Sequence, residues 1–429
     1  MTERTIQVDA LARVEGEGAL YLKVKDGDVV DLRLEIYEPP RFFEGFLLGR
    51  RYEEVPDLTA RICGICPVAY QMSSARALEK AFGVQVSPAI RDLRHLLYCA
   101  EWIESHVLHI YMLQAPDLTG HESALELAQD APEIVQRGLH LKRIGNTLLA
   151  LLGGRSVHPV NPTVGGFYRW PDVEAIRALV PELTWGLEAS QETVRWAAGL
   201  DFPDLEVDYE FVALHHPQEY AILEGVVRSS VSGDLPEEQF EQGYHEEHVP
   251  HSNALHSRTA RGTTYMVGPL ARFNLNFEQL HPLARAVAEE VGFRPPVRNP
   301  YKALLARAVE VVHAYAVALE IARTWQPEGP AHAEIHPRAG EGAAITEAPR
   351  GMLYHRYRVD ARGLVEDARI VPPTAQNLAR MEDDLRMLAP VVLSLPHEEA
   401  TLRCEHLVRA YDPCISCATH FLKMEVSEA

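Results

Sequence analysis

Two pairs of thiols, one near each end of the sequence, carry the most chemistry. Residues 61–66 read RICGIC, which places Cys63 and Cys66 three positions apart. Residues 412–420 read DPCISCATH, with Cys414 and Cys417 at the same spacing and His420 three residues beyond. Such pairs can chelate a metal, cycle as a disulfide or pack in a core. A four-cysteine zinc site is one reading, but zinc ribbons keep their pairs about 15–20 residues apart, and here nearly the whole chain intervenes. A redox disulfide calls for a βαβ frame, and none is visible. A catalytic metal centre is the third reading. Soft thiolates suit nickel, copper, zinc and iron clusters, so the ligands alone do not choose the metal. Spacing by itself leaves zinc and a redox metal level, with disulfide exchange behind. The flanks favour the redox centre. Cys66 precedes Pro67, a helix start whose N-terminus lowers a thiol pKa. Asp412-Pro413 fixes the turn into the second pair, and a histidine beside two thiols is raised from surface group to ligand or ligand support.

The elements that must position these pairs are mostly helical. Pro67 opens PVAYQMSSARALEKAFG, and Gly83 follows its last turn. The next stretch, PAIRDLRHLLYCAEWIESHVLHIYML, repeats apolar residues at Leu93, Leu97, Ala100, Ile103, Val107 and Ile110, a long helical pattern. Further helical patterns cover 122–152, 173–199, 278–291, 302–325 and 376–393. The one at 302–325 is apolar on more than one face and reads as a buried helix. Strands are fewer. GALYLKVKDGDVVDLRLEIYEP alternates on both sides of Asp26-Gly27, a hairpin signal. Roughly 210–232 is rich in β-branched residues, and GMLYHRYRVDARGLVEDARIV brackets a turn at Ala361–Gly363. The expected fold is mainly α with small β meanders near both ends, α+β, built on long central helices. One domain is expected over 1–420, with 421–429 as a tail, and no repeat or linker interrupts it.

The sequence has 429 residues and a net charge of -20, which repels nucleic-acid phosphates and anionic membranes as direct partners. No apolar run is long enough to span a bilayer. The start, MTERTIQVDA, lacks a signal-peptide core, so the cytoplasm is the expected location. Six cysteines in this length form no disulfide scaffold. Cys99 falls on an apolar helix face and reads as core, and Cys404 has no assigned role. The stretch YHEEHVPHSNALH holds His245, His248, His251 and His256 among acids. An HxxH pair invites zinc, but no helix frame aligns the four imidazoles, so a polar surface or interface segment is the favoured reading.

These stretches together resemble the large subunit of nickel–iron hydrogenases. RICGICPVAYQ and DPCISCATH look like its two signature motifs. RVEGEG at 13–18, RFFEGFLLGR at 41–50, SHVLHIYMLQAPD at 105–117, GGRSVHPVNPTVGGF at 153–167, YMVGPLAR at 265–272, EAPRG at 347–351 and VPPTAQN at 371–377 follow in the family's order. CPVAYQMS resembles the cytosolic branch that couples dihydrogen to NAD or NADP through partner subunits. The resemblance implies that Cys63 and Cys414 are terminal ligands to nickel. Cys66 and Cys417 would bridge nickel to an iron carrying two cyanides and one carbon monoxide. Arg350 would sit above the iron and polarise or deprotonate dihydrogen; outside the motif it would read as a surface Arg after a proline turn. Pro349 would flank the cyanides and Thr374 would donate to one of them, while Asp117 and Asp412 would hold Arg350. Glu15 matches the family's proton-transfer glutamate, since a mobile carboxyl beside a thiolate can relay protons. Glu44, His420 and the Ile370 carbonyl would bind magnesium or a second iron. Tyr70 stands where many members have histidine, a change beside the bridging sulfur.

The function implied is reversible heterolytic cleavage of dihydrogen, with a proton left on Cys414 or Arg350 and led out through Glu15. Two remaining thiols are too few for an iron–sulfur cluster, so electrons would pass to an iron–sulfur small subunit. Flavin and iron–sulfur NAD(P)-binding subunits would follow. Maturation proteins and a C-terminal endopeptidase would load the metals and remove Phe421 to Ala429. The rivals are a metal-free subunit like that of respiratory complex I, in a quinone-coupled machine, and a zinc-stabilised scaffold. Retention of all four thiols argues against the first.

Overall fold

The computed structural model describes residues 3–419. The chain begins as an antiparallel meander of Glu3–Val8, Gly18–Lys25 and Asp28–Ile36. Leu20, Leu22, Val24, Leu32, Leu34 and Ile36 all point to one buried face, as the period of two requires. Asp26 and Gly27 turn the hairpin with φ of 52° and 96°, the left-handed pair that suits a tight turn between twisted strands.

Four long helices make the centre: Pro88–Leu108, Pro132–Gly153, Val180–Ala198 and Ala303–Thr324. The last is buried on nearly every side, in line with its all-round apolar sequence. Prolines divide the longer expected patterns. Pro132 lacks the N–H to continue a helix, so 122–152 becomes Ala124–Asp130 and Pro132–Gly153, with Ala131 non-helical between them at φ -138° and ψ 65°. Likewise 173–199 becomes Val173–Ala178 and Val180–Ala198 around Pro181. The Pro88 helix does not stay α to its end; it widens into a π turn over His109–Gln114 before Ala115–Thr119. Helix His397–Ala410 was not apparent from periodicity, because its N-terminal half is mostly charged or polar.

The second meander has three strands, Gly340–Ala348, Gly351–Val359 and Val365–Val371, so the expected two gain an upstream partner. The β-branched middle forms Val212–His215, Val226–Ser229 and Gly233–Leu235. A further ladder pairs Tyr244–Glu247 with His256–Thr259. One hydrophobic core joins Ile6 in the first strand to Ala418 beside the last thiol. No described helix is long and apolar enough to cross a membrane.

Candidate metal centre

Both thiol pairs sit at helix starts. Cys66 is the residue before helix Pro67–Phe82. The free N–H groups of that helix end are taken by Glu101 of the Pro88 helix, which accepts from Val68 N at 2.6 Å and Ala69 N at 3.0 Å. Cys63 Sγ accepts from Ile65 N at 3.3 Å and Cys66 N at 3.1 Å. Cys414 precedes the short helix Ile415–Ala418. Its entry turn is made by Asp412 in the left-handed region, φ 56°. Thr374 Oγ1, in the first turn of helix Pro373–Val392, accepts from Cys414 N at 2.9 Å. Arg41 pins the two pairs to each other, donating from Nη2 to the carbonyls of Ile62 and Ser416.

The four sulfurs converge. Cys63 and Cys66 are 2.8 Å apart, and so are Cys414 and Cys417. Across the site, Cys63 faces Cys414 at 3.6 Å and Cys66 faces Cys417 at 4.0 Å. All four are buried, and their sulfurs lie within 4.8 Å of one another. Burial pushes the Cys414 and Cys417 thiols up. Burial also works against ionisation of Cys63, but hydrogen bonds from Cys414, Cys417 and Cys66 outweigh it and hold that thiol well below its usual range. Four thiolates cannot share so small a dry volume without a cation, and a soft metal is the counter-ion this donor set fits.

A wall of charged groups closes the site. Arg350 lies in the turn between Gly340–Ala348 and Gly351–Val359 and is buried. It donates to the Asp412 carbonyl at 2.8 Å, to Asp412 Oδ1 at 3.1 Å and to Ser105 Oγ at 3.4 Å. Burial opposes its charge, but Asp412 and the thiols outweigh it and hold its pKa above the usual range. Gly268 packs against this turn with φ 106°, where a Cβ would lie 2.7 Å from the Arg350 carbonyl oxygen. The carbonyl of Pro349 accepts from Arg272 Nη2 at 2.9 Å. Arg272 is itself held by Glu310 and Glu347, all three fully buried.

Asp117 is a correction. It pairs with Arg409, Arg13 and His406 rather than with Arg350. Asp117 lies beyond the π turn, in helix Ala115–Thr119, and it is Ser105 on the Pro88 helix that faces Arg350. Burial pushes the Asp117 carboxyl up, but His406 and Arg409 outweigh it and bring it to about 2.

Glu15 reaches the second pair from the N-terminal segment. Its backbone carbonyl accepts from Ile415 N at 2.9 Å. Cys414 Sγ donates to Glu15 Oε2 at 3.0 Å, and Ser416 N donates to the same oxygen at 3.1 Å. Gly16 allows the approach, because at its φ of 90° a Cβ would meet Ile415 Cβ at 2.6 Å. Glu44 Oε1 accepts from Ile370 N at 2.8 Å, and burial lifts its carboxyl to about 7. His420, expected beside them, lies outside the described residues, as does the tail that follows it. Tyr70 is buried, and burial with the charges of Cys417, Cys66 and Cys63 pushes its hydroxyl up.

Arg41, Glu101, Ser105 and the Arg272 network were not singled out from sequence. Glu310 left a usable signal: a carboxylate inside the all-round apolar helix Ala303–Thr324 has to be paired. Arg41 and Arg272 lie within stretches quoted for the family resemblance, where no role had been assigned to them.

The family described as nickel-dependent hydrogenase matches residues 41–138 and 255–420. The chain is 33% identical to sulfhydrogenase 1 subunit alpha of Pyrococcus furiosus, covering 98% of each. It is 35% identical to sulfhydrogenase 2 subunit alpha of the same organism, over 98% of this chain and 100% of that one. NAD-reducing hydrogenase HoxS subunit beta of Cupriavidus necator is 28% identical over 98% of this chain and 95% of its own. Among solved structures, an NAD+-reducing [NiFe]-hydrogenase in the H2-reduced state superposes with a TM-score of 0.87 at 26% identity, covering 97% of this chain and 99% of that one.

Proposed function

This chain belongs to the nickel-dependent hydrogenase family, as a catalytic subunit and an oxidoreductase acting on hydrogen, and from that premise we propose reversible heterolytic cleavage of dihydrogen to protons and electrons. The observation that carries the reading is the convergence of four sulfurs from opposite ends of the chain, with Cys414 already on the Glu15 carboxylate.

Cys63 and Cys414 would hold nickel as terminal ligands, and Cys66 and Cys417 would hold it jointly with an iron bearing two cyanides and one carbon monoxide. Bound there, the two metals supply the open coordination and the redox change that dihydrogen cleavage requires. The chain's own residues do the rest. Asp412 aims and fixes the Arg350 guanidinium, which stays charged and would face the iron. Thr374 Oγ1 accepts from Cys414 N, which leaves its own hydroxyl proton free to donate; Thr374 and Pro349 would hold the cyanides. A proton on Cys414 Sγ passes over 3.0 Å to Glu15 Oε2, a half-buried carboxylate that hands it outward. Glu44, Ile370 and His420 would bind magnesium or a second iron near the C-terminal segment.

Electrons go to an iron–sulfur small subunit and on to flavin and iron–sulfur NAD(P)-binding subunits. The support is that relatives are themselves subunits of multi-subunit hydrogenases, one of them NAD-reducing. The remaining described thiols, Cys99 and Cys404, are buried and lie outside the four-sulfur group. Residence in the cytoplasm goes with a nicotinamide acceptor. A single catalytic domain over 1–420, and removal of 421–429 by an endopeptidase after maturation proteins have loaded nickel, belong to the same proposal.

Metal analysis with infrared spectroscopy on the purified complex tests it. Nickel together with cyanide and carbonyl stretches is expected. Zinc in place of nickel would favour the scaffold reading, and no metal at all the quinone-module reading.

A further inference from the structure

Part of the histidine-rich stretch YHEEHVPHSNALH packs onto helix Pro373–Val392 through strand His256–Thr259. His256 opens strand His256–Thr259, and His251 lies in the loop that leads to it. Both meet Glu382, on the third turn of the helix. His251 Nε2 is 2.7 Å from Glu382 Oε1, and His256 Nδ1 is 4.0 Å from Glu382 Oε2. One ligand atom from each of the three lies within 4.8 Å of the others. Glu382 Oε1 also accepts from Leu34 N at 2.9 Å, which ties the group to the edge strand of the N-terminal sheet.

A histidine–carboxylate hydrogen bond accounts for His251 but not for His256. His256 is 1% exposed, and its Nε2 has no hydrogen-bond partner. Its Nδ1 stands beyond hydrogen-bond reach of Glu382. A neutral imidazole carries its proton on one nitrogen; with it on Nε2, Nδ1 offers a lone pair toward Glu382 and His251. A tetrahedral zinc with bonds of about 2.0–2.2 Å sets neighbouring ligand atoms about 3.4 Å apart. The observed 2.7 and 4.0 Å fall on either side of that spacing. The side chains of His251 and Glu382 are 19% and 13% exposed, which leaves a way in for an ion and room for a water ligand.

We propose that His251, His256 and Glu382 form a second metal site, of the two-histidine, one-carboxylate type, that binds zinc with water completing the shell. Binding replaces the hydrogen bond between His251 Nε2 and Glu382 Oε1: the neutral imidazole carries its proton on Nδ1 and gives Nε2 to zinc. The ion clamps the histidine loop to the helix whose first turn carries Thr374, about 12 Å along the helix axis from Glu382 by the rise per residue.

The test is made on the complete purified complex, with zinc supplied from a chelator-buffered solution and crystals measured on both sides of the zinc absorption edge. The expected result is one zinc per catalytic chain, with an anomalous peak between the three side chains. Glu382→Gln and His251→Gln are each expected to lose that one equivalent and to keep nickel content and dihydrogen uptake unchanged. His251→Gln changes a half-buried loop residue, so it and the wild-type peak decide the matter even if Glu382→Gln fails to fold. No zinc in the wild type, a peak elsewhere, or equal zinc in wild type and His251→Gln overturns the proposal.

Discussion

Three demands meet at Cys414. Its N–H is bonded to Thr374 Oγ1, its sulfur lies against Cys417 and Cys63, and its thiol donates to Glu15 Oε2. Serine keeps the backbone bonds but replaces the soft sulfur proposed as a nickel ligand with a hard hydroxyl. Cys414→Ser is therefore expected to fold and to take up no dihydrogen, and measurable uptake would remove Cys414 from the ligand set. Glu15→Gln keeps an acceptor for Ser416 N and loses the titrating oxygen. Its expected effect is a fall of roughly 10²–10⁴-fold in deuterium–proton exchange at unchanged nickel content. Mass spectrometry of the exchanged gas reads this, and an unaltered rate would take Glu15 off the proton route.

At the level of elements, Asp117 ties the segment after the π turn to helix His397–Ala410 and to Arg13 of the N-terminal segment. Its folded pKa of about 2 lies below the ordinary carboxyl value of about 4. The stabilisation, about 2 kcal/mol, is thus complete above the unfolded pKa and lost as pH falls through about 2. Asp117→Asn removes the charge at every pH and leaves two guanidiniums short of a partner, at a cost of about 3 kcal/mol. Urea unfolding at neutral pH should show that loss, and the gap between wild type and Asp117→Asn should narrow in acid. A variant as stable as the wild type would show that Arg409 and Arg13 find other acceptors. The same helix ends at Ala410, two residues before Asp412, so its bracing sets where Arg350 is held.

Across the whole molecule, the metal centre would be a cross-link between the two ends of one continuous core. Closing a loop on the order of 350 residues removes roughly 6 kcal/mol of chain entropy from the unfolded state in the simplest model. Binding to the folded state alone adds further stability by mass action. The catalytic chain produced without nickel is therefore expected to unfold at a lower denaturant concentration than the loaded chain. Amide exchange should be faster first around Cys63 and Cys414. Equal midpoints for the two forms would mean that packing alone holds the ends together.

The local chemistry was legible from the sequence. CxxC spacing, Pro67 as a helix start, the Asp26-Gly27 hairpin and the all-round apolar helix are dictated by neighbours a few residues away, and short-range geometry follows from covalent spacing and backbone preference. Similarity to known hydrogenases then supplied roles that no spacing could. Packing decided the rest. That Cys66 faces Cys417, that Asp117 binds Arg409 in place of Arg350, and that His251 and His256 meet Glu382 are all contacts between residues remote in the chain. Nothing in the hydrophobic period of 105–117 announced the widened turn over His109–Gln114, or that Asp117 beyond it would meet Arg409. Periodicity records which face of an element is buried; it does not record which charged group on another element arrives opposite it, because that depends on how all the elements close on one core.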